Sequence, residues 1–204
     1  MVRAAALVSG GGTNLQALLD AQRSGVIHSG SIALVVSNKQ HAYALTRAEQ
    51  AGVETAVMPY TLSEDREAYT QSLVQLLKDK QIDMVVLAGF MLILTPTMIH
   101  AYPDRIVNVH PALIPSFCGN GFYGLKVHQA VLDAGVKVTG ATVHLVNEIT
   151  DGGRILMQKA VDVLPDDTPE TLQKRVMEQA EWVILPQAVE MLMAQIAAEK
   201  GESK

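Results

Sequence analysis

The 204-residue chain is 49% hydrophobic and only 4% aromatic, so Val, Leu, Ile and Ala can build one sizeable core in a single domain, 1–204. A formal charge of −5 without a basic cluster argues against nucleic acid as a partner and leaves small anions, which backbone amides and local cations hold. The lone Cys118 excludes an internal disulfide framework, and the apolar start is too short for a signal peptide or a membrane span, so a cytoplasmic chain without a membrane partner is expected.

Strand and helix alternate along the chain. Ala4–Val8 reads as a strand, Asn14–Arg23 as a helix, Ile32–Ser37 as a strand, Ala42–Ala51 as a helix and Glu54–Met58 as a short strand. Glu64–Lys78 is an amphipathic helix, and Met84–Ala88 is apolar without alternation, as a strand buried on both faces requires. This order predicts an α/β fold: a doubly wound, mostly parallel, Rossmann-like sheet with helices on both faces. Ile106–Val109 is the next strand and Val127–Ala134 a helix, whereas Lys137–Val146 and Arg154–Val163 alternate like longer, more exposed strands. Asp151-Gly152-Gly153 supplies a turn between those two and predicts an antiparallel C-terminal strand pair. A final helix spans Glu170–Ala197, with Pro186 expected to kink or divide it, and 201–204 reads as a disordered tail.

Ser9-Gly10-Gly11-Gly12-Thr13-Asn14-Leu15 joins the first strand to the first helix. Leu15 stands where a dinucleotide loop has its third glycine, and the second strand ends in Ser37-Asn38-Lys39 without a ribose-binding acid. A plain tight turn explains such a loop; read as a site, it holds a phosphate through Gly11, Gly12, Thr13 and Asn14. Leu87–Pro96 alone reads as core, but at the carboxyl edge of the sheet an apolar loop can hold a flat aromatic ligand. Ile106–His110 alternates, so Asn108 and His110 share a face, and Pro111 and Pro115 turn the chain into a loop beyond them. With Asp151 they form an amide, an imidazole and a carboxylate that can polarise a carbonyl and move one proton; the plain alternative is a buried polar pair at a strand end.

Together these motifs resemble the folate-dependent formyltransferases. The resemblance covers almost the whole chain, through Ser9–Asn14, Ser37-Asn38-Lys39, Ser63–Tyr69, Leu87–Pro96, Asn108–Pro115, Val138–His144 and Asp151–Gly153, and N-x-H-P-x-x-x-P with a downstream D-G-G is specific to that family. Length favours the members without an extra regulatory or C-terminal domain. The resemblance implies direct transfer of a formyl group from 10-formyltetrahydrofolate, as co-substrate, to the amino group of glycinamide ribonucleotide. The step passes through a tetrahedral intermediate, belongs to purine synthesis and needs no metal, and the enzyme is expected to be a monomer or homodimer. It implies that Asn108 and a protonated His110 donate to the oxyanion. Asp151 would raise the His110 pKa from its usual value of about 6.5 and help remove the amine proton. Gly12, Thr13 and Asn14 would hold the nucleotide phosphate near Pro111, with Glu181 on the ribose. Arg66, Met91, Leu92, Ile93 and Leu94 would bind the folate beside Asn108, with Val146, Asn147 and Glu148 as the far wall.

The chain departs from the family pattern in places. Leu92 stands where many relatives have Arg, the segment Phe117–Gly124 is longer than usual, Lys126 replaces a common His, and Trp182 follows Glu181 where His is usual. The spacing from Arg175 to Glu181 is one residue longer. Three other readings compete: a Cys118 nucleophile paired with His110 or His128, zinc on His110, His128, His144 and Asp151, and a binding module without chemistry. Formyltetrahydrofolate hydrolysis would use the same Asn, His and Asp with water as acceptor.

Overall fold

In the computed structural model the described residues are 1–61 and 65–202. Strands and helices follow as β1 Val2–Val8, α1 Thr13–Arg23, β2 Gly30–Ser37, α2 Tyr43–Gln50, β3 Glu54–Val57, α3 Arg66–Asp79, β4 Met84–Leu87 and α4 Pro96–Ala101. The second half adds β5 Ile106–His110, α5 Leu125–Asp133, β6 Val138–Leu145, β7 Ile155–Asp162, α6 Pro169–Val176, a π-helical turn Met177–Glu181 and α7 Trp182–Glu202. One sheet takes the order β3-β2-β1-β4-β5-β6-β7, parallel as far as β5 and antiparallel from β5 to β7. The doubly wound sheet and its antiparallel C-terminal pair are therefore as the sequence implies.

The central strands are apolar throughout because both of their faces are covered. Ala4, Ala6 and Val8 of β1 face the layer built by α1 and α7, with Leu15, Leu18, Leu185 and Val189. Ala5 and Leu7 face the opposite layer, with Leu73 and Leu77 of α3 and Met98 of α4. Each fully buried leucine contributes roughly 1.5–3 kcal/mol of transfer free energy. Chain order leaves β1 in opposite directions toward β2 and toward β4, which opens a crevice at the carboxyl ends of β1 and β4.

The elements depart from expectation in four places. Asp65 caps α3 by accepting from the Glu67 N–H, so the helix starts at Arg66; Ser63 of the motif and the expected start at Glu64 lie outside the described residues. The short helix α4 follows Thr95, with Pro96 in its first turn, where its missing N–H costs nothing. The last helix is interrupted before Pro186, not at it: the Trp182 N–H reaches the Met177 carbonyl five residues back, and Pro186 lies inside α7. Finally, α7 runs through Gly201 to Glu202, within the expected tail, while Ser203 and Lys204 lie outside the described residues.

Candidate active site

Alternation along β5 sends Asn108 and His110 off one face at its carboxyl end, and antiparallel pairing sets Asn108 opposite His144. Asn108 Nδ2 lies 3.2 Å from His144 Nε2. His144 Nδ1 donates to the Leu145 carbonyl at 2.8 Å, so in the neutral ring Nε2 accepts from Asn108, and the second amide N–H of Asn108 has no partner among the described residues. The β6–β7 connection then folds back over this edge. Gly153 permits it, because a Cβ there would lie 1.7 Å from the Leu145 carbonyl oxygen. This return brings Asp151 Oδ2 to 3.5 Å from His110 Nδ1 and Oδ1 to 3.6 Å from His144 Nε2. Oδ2 also accepts from the Gly119 N–H at 2.9 Å, and His110 Nε2 sits 2.8 Å from the Phe117 carbonyl oxygen.

The electrostatics correct one expectation. Burial is the largest influence on His110 and outweighs the Phe117 carbonyl and Asp151, so its pKa is lowered from 6.5 instead of raised. That direction favours the neutral imidazole near neutral pH, against the expected imidazolium. Burial also pushes Asp151 up, but His144, the Gly119 N–H and His110 more than offset it and hold the carboxyl below its usual value.

The glycine loop meets this edge from β1. Gly12 is left-handed, with φ 75°, and a Cβ there would lie 2.6 Å from Ala44 Cβ, so only glycine lets the loop pack against α2. Among the described residues no side chain caps the first turn of α1, whose N–H groups point out of the helix as an anion site requires. Arg47 of α2 donates through Nε to the Gly11 carbonyl at 2.9 Å. Asn14 Nδ2 donates to Glu181 Oε2 at 2.8 Å, so the structure joins two residues that the sequence separates widely. Among the described residues Asn14 Oδ1 is buried without a partner. Burial lifts the Glu181 carboxyl from 4.5 to about 6 despite the Asn14 bond.

The apolar loop after β4 is pinned by Ser9, whose Oγ accepts from the Met91 N–H at 3.0 Å and donates to Asn38 Oδ1 at 2.7 Å. Met91 and Ile93 are each 55% exposed, while Leu94 and Val146 pack against the second core layer, leaving an apolar lip beside Asn108. Leu92 is half-buried and Pro111 likewise. The Asn147 side chain is engaged within its own turn, with the Ile149 N–H and the Gly152 carbonyl, and Glu148 pairs with His100 at 3.1 Å. Arg66 is exposed at the start of α3, which Glu67 fastens to Thr97 of α4 at 2.5 Å. Among the described residues no cluster of three or more His, Cys, Asp or Glu side chains could hold a metal ion, and no helix is long and apolar enough to cross a membrane.

A family model described as formyl transferase matches residues 2–189. The chain belongs to the formyl transferase family. It is 41% identical over 176 residues to the chloroplastic phosphoribosylglycinamide formyltransferase of Arabidopsis thaliana, covering 86% of this chain and 60% of that one. It is 43% identical over 203 residues to the trifunctional purine biosynthetic protein adenosine-3 of Bos taurus, covering 98% of this chain and 19% of the relative. The chain thus spans less than two thirds of the length of these curated relatives. Among solved structures, glycinamide ribonucleotide transformylase 1 from Symbiobacterium toebii superposes with a TM-score of 0.89 at 40% identity, over 96% of this chain and 89% of that one.

In this member of the family Cys118 is placed as a thiol donor. Its Sγ donates to the Pro115 carbonyl at 3.2 Å, and burial followed by Asp151 pushes its pKa up. Arg175, whose role the longer spacing obscures, makes a two-pronged pair with Asp167 at 2.5 and 2.6 Å and caps the Asp162 carbonyl, a structural tie between α6 and the end of β7. His144 is the residue to which the formyl-transfer reading of the sequence gives no part. The alternation Thr142-Val143-His144 is its signal, but only the β5–β6 register puts it opposite Asn108.

Proposed function

We propose that this chain transfers the formyl group of 10-formyltetrahydrofolate to the amino group of glycinamide ribonucleotide, giving formylglycinamide ribonucleotide and tetrahydrofolate. The observation that carries the reading is the junction of Asn108, His110, His144 and Asp151 at the sheet edge, beside a glycine loop and an apolar lip. The nucleotide phosphate sits at Gly11, Gly12, Thr13 and Asn14, near Pro111, and Glu181 takes the ribose. The flat pterin lies along Met91, Leu92, Ile93 and Leu94 against Val146, with Arg66 toward its acidic tail. Asn147 and Glu148 border that wall through their backbone, since their side chains have partners of their own.

In the reaction, the second amide N–H of Asn108 donates to the formyl oxygen as negative charge grows there. Loss of such a donor typically costs about 10²–10³ in rate. Neutral His110 accepts the proton that the attacking amine sheds, and Asp151 stabilises the imidazolium so formed. That proton then passes to the departing folate nitrogen as its bond to the formyl carbon breaks, which restores neutral His110. A cytoplasmic monomer or homodimer with the whole chain as one catalytic unit fits this scheme.

The test is consumption of the formylfolate donor by purified protein with and without glycinamide ribonucleotide. Consumption strictly dependent on the nucleotide is expected. Equal consumption without it would make the protein a hydrolase, and none in either case would leave a binding module.

A further inference from the structure

Phe117 has a backbone that few aromatic residues adopt, φ 51°, and its carbonyl is the partner of the buried His110 ring. A carbonyl oxygen only accepts, so the nitrogen facing it, Nε2, must carry a proton in either charge state of the ring. The other nitrogen, Nδ1, faces Asp151 at 3.5 Å. Two residues on, the Gly119 N–H donates to the same carboxylate oxygen, Asp151 Oδ2. The turn Phe117–Gly119 therefore grips both members of the pair through its backbone, one by a carbonyl and the other by an amide.

We infer that the Phe117–Gly119 turn is a backbone clamp that locks proton occupancy on His110 Nε2 and so assigns the reacting proton to Nδ1, on the Asp151 side. The inference deepens the proposed transfer and rests on it only for its kinetic arm. Nε2 keeps its proton throughout. Nδ1 takes the proton released as the amine nitrogen bonds to the formyl carbon, and yields it to the folate nitrogen as that nitrogen's bond to the same carbon breaks. Phe117 and Gly119 touch neither substrate in this scheme; they are positioning residues, acting as the second partner of a catalytic imidazole usually does. The conformation matters because the left-handed backbone at Phe117 aims its carbonyl at the ring, whereas its side chain packs against the core. The other titratable groups that act on His110 are His144 and His128, which bear on the charge of the ring and not on which nitrogen faces Phe117.

Two measurements separate this clamp from mere packing. The first is the neutral tautomer of His110, read from the imidazole nitrogens by NMR in protein labelled with nitrogen-15. The Nε2–H form is expected in the free enzyme, and an Nδ1–H form would overturn the inference whatever the activity proves to be. The second compares Phe117→Gly with Phe117→Val. A β-branched residue resists φ near 51° and glycine does not, whereas valine preserves more apolar contact. The clamp predicts that Phe117→Val loses more kcat than Phe117→Gly, about 10–100-fold below wild type, with both KM values within about threefold, and populates the Nδ1–H tautomer. Packing alone predicts the reverse order, and that order would overturn the clamp. If Phe117→Val does not fold, the wild-type tautomer and its retention in Phe117→Gly still decide the matter.

Discussion

Burial acts on His110 and Glu181 with opposite sign, because one is charged when protonated and the other when deprotonated. For His110 the result is a base that is free near neutrality, so the acid limb of the kcat/KM profile should have its midpoint below 6.5. A midpoint above that value would mean that Asp151 dominates after all. For Glu181 the folded pKa of about 6 stands above the ordinary 4.5, so the fold prefers the protonated acid. Stability is therefore lost as pH rises from 4.5 through 6, by about 2 kcal/mol, and no further above it. Glu181→Gln should remove that penalty, unfolding at higher urea than wild type above about pH 7 while raising KM for the nucleotide. A variant that is no more stable there would refute the assignment. Asn108 and His110 are legible from alternation in five residues, whereas the sign of the His110 shift is not. That sign depends on how deeply the 117–119 turn encloses the ring, which spacing does not encode.

At the scale of elements, most of the fold is legible because the central strands must be apolar on both faces and the loops at their carboxyl ends carry the glycines. The order of strands is less so: nothing local in Met84–Leu87 says that it pairs with β1, yet that pairing lets Ser9 hold the loop at Met91. The joint between α6 and α7 shows how a single extra residue is accommodated. The family resemblance implies a spacing from Arg175 to Glu181 one residue longer than usual, and the structure places a π turn at Met177–Glu181 within that stretch. A π turn absorbs one residue without rotating either flank, so Arg175 keeps Asp167 while Glu181 keeps Asn14. Deleting the exposed Gln179 should therefore give a regular helix with both contacts intact. Its melting temperature should fall within about 5 °C of wild type, measured by circular dichroism. Loss of cooperative unfolding would show that the turn is required for the fold. Pro186, the obvious breaker in the sequence, proves a poor guide, since it lies one turn beyond the irregularity.

Over the whole molecule, the sheet edge collects groups from most of the chain: Gly12 and Asn14, Met91, Asn108 and His110, Phe117, His144, Asp151 and Glu181. Folding and site formation are thus one event, and acid stability should report on it. His128 of α5 is fully buried, neither ring nitrogen has a partner among the described residues, and burial lowers its pKa to about 4. Its folded pKa lies below its unfolded value of 6.5, so stability is present above 6.5 and lost as pH falls toward 4. The stability difference between wild type and His128→Met should shift in favour of the variant by about 2 kcal/mol between about pH 7.5 and about pH 5, followed by urea unfolding. An unchanged difference would mean that the ring is solvated in the folded protein. The most direct measurement of formyl transfer follows a carbon-13 formyl label from 10-formyltetrahydrofolate in the presence of glycinamide ribonucleotide. The label is expected in the formamide of the product nucleotide, one for each donor consumed, and His110→Ala is expected nearly to abolish its transfer; label accumulating as free formate in wild type would contradict formyl transfer to the amine.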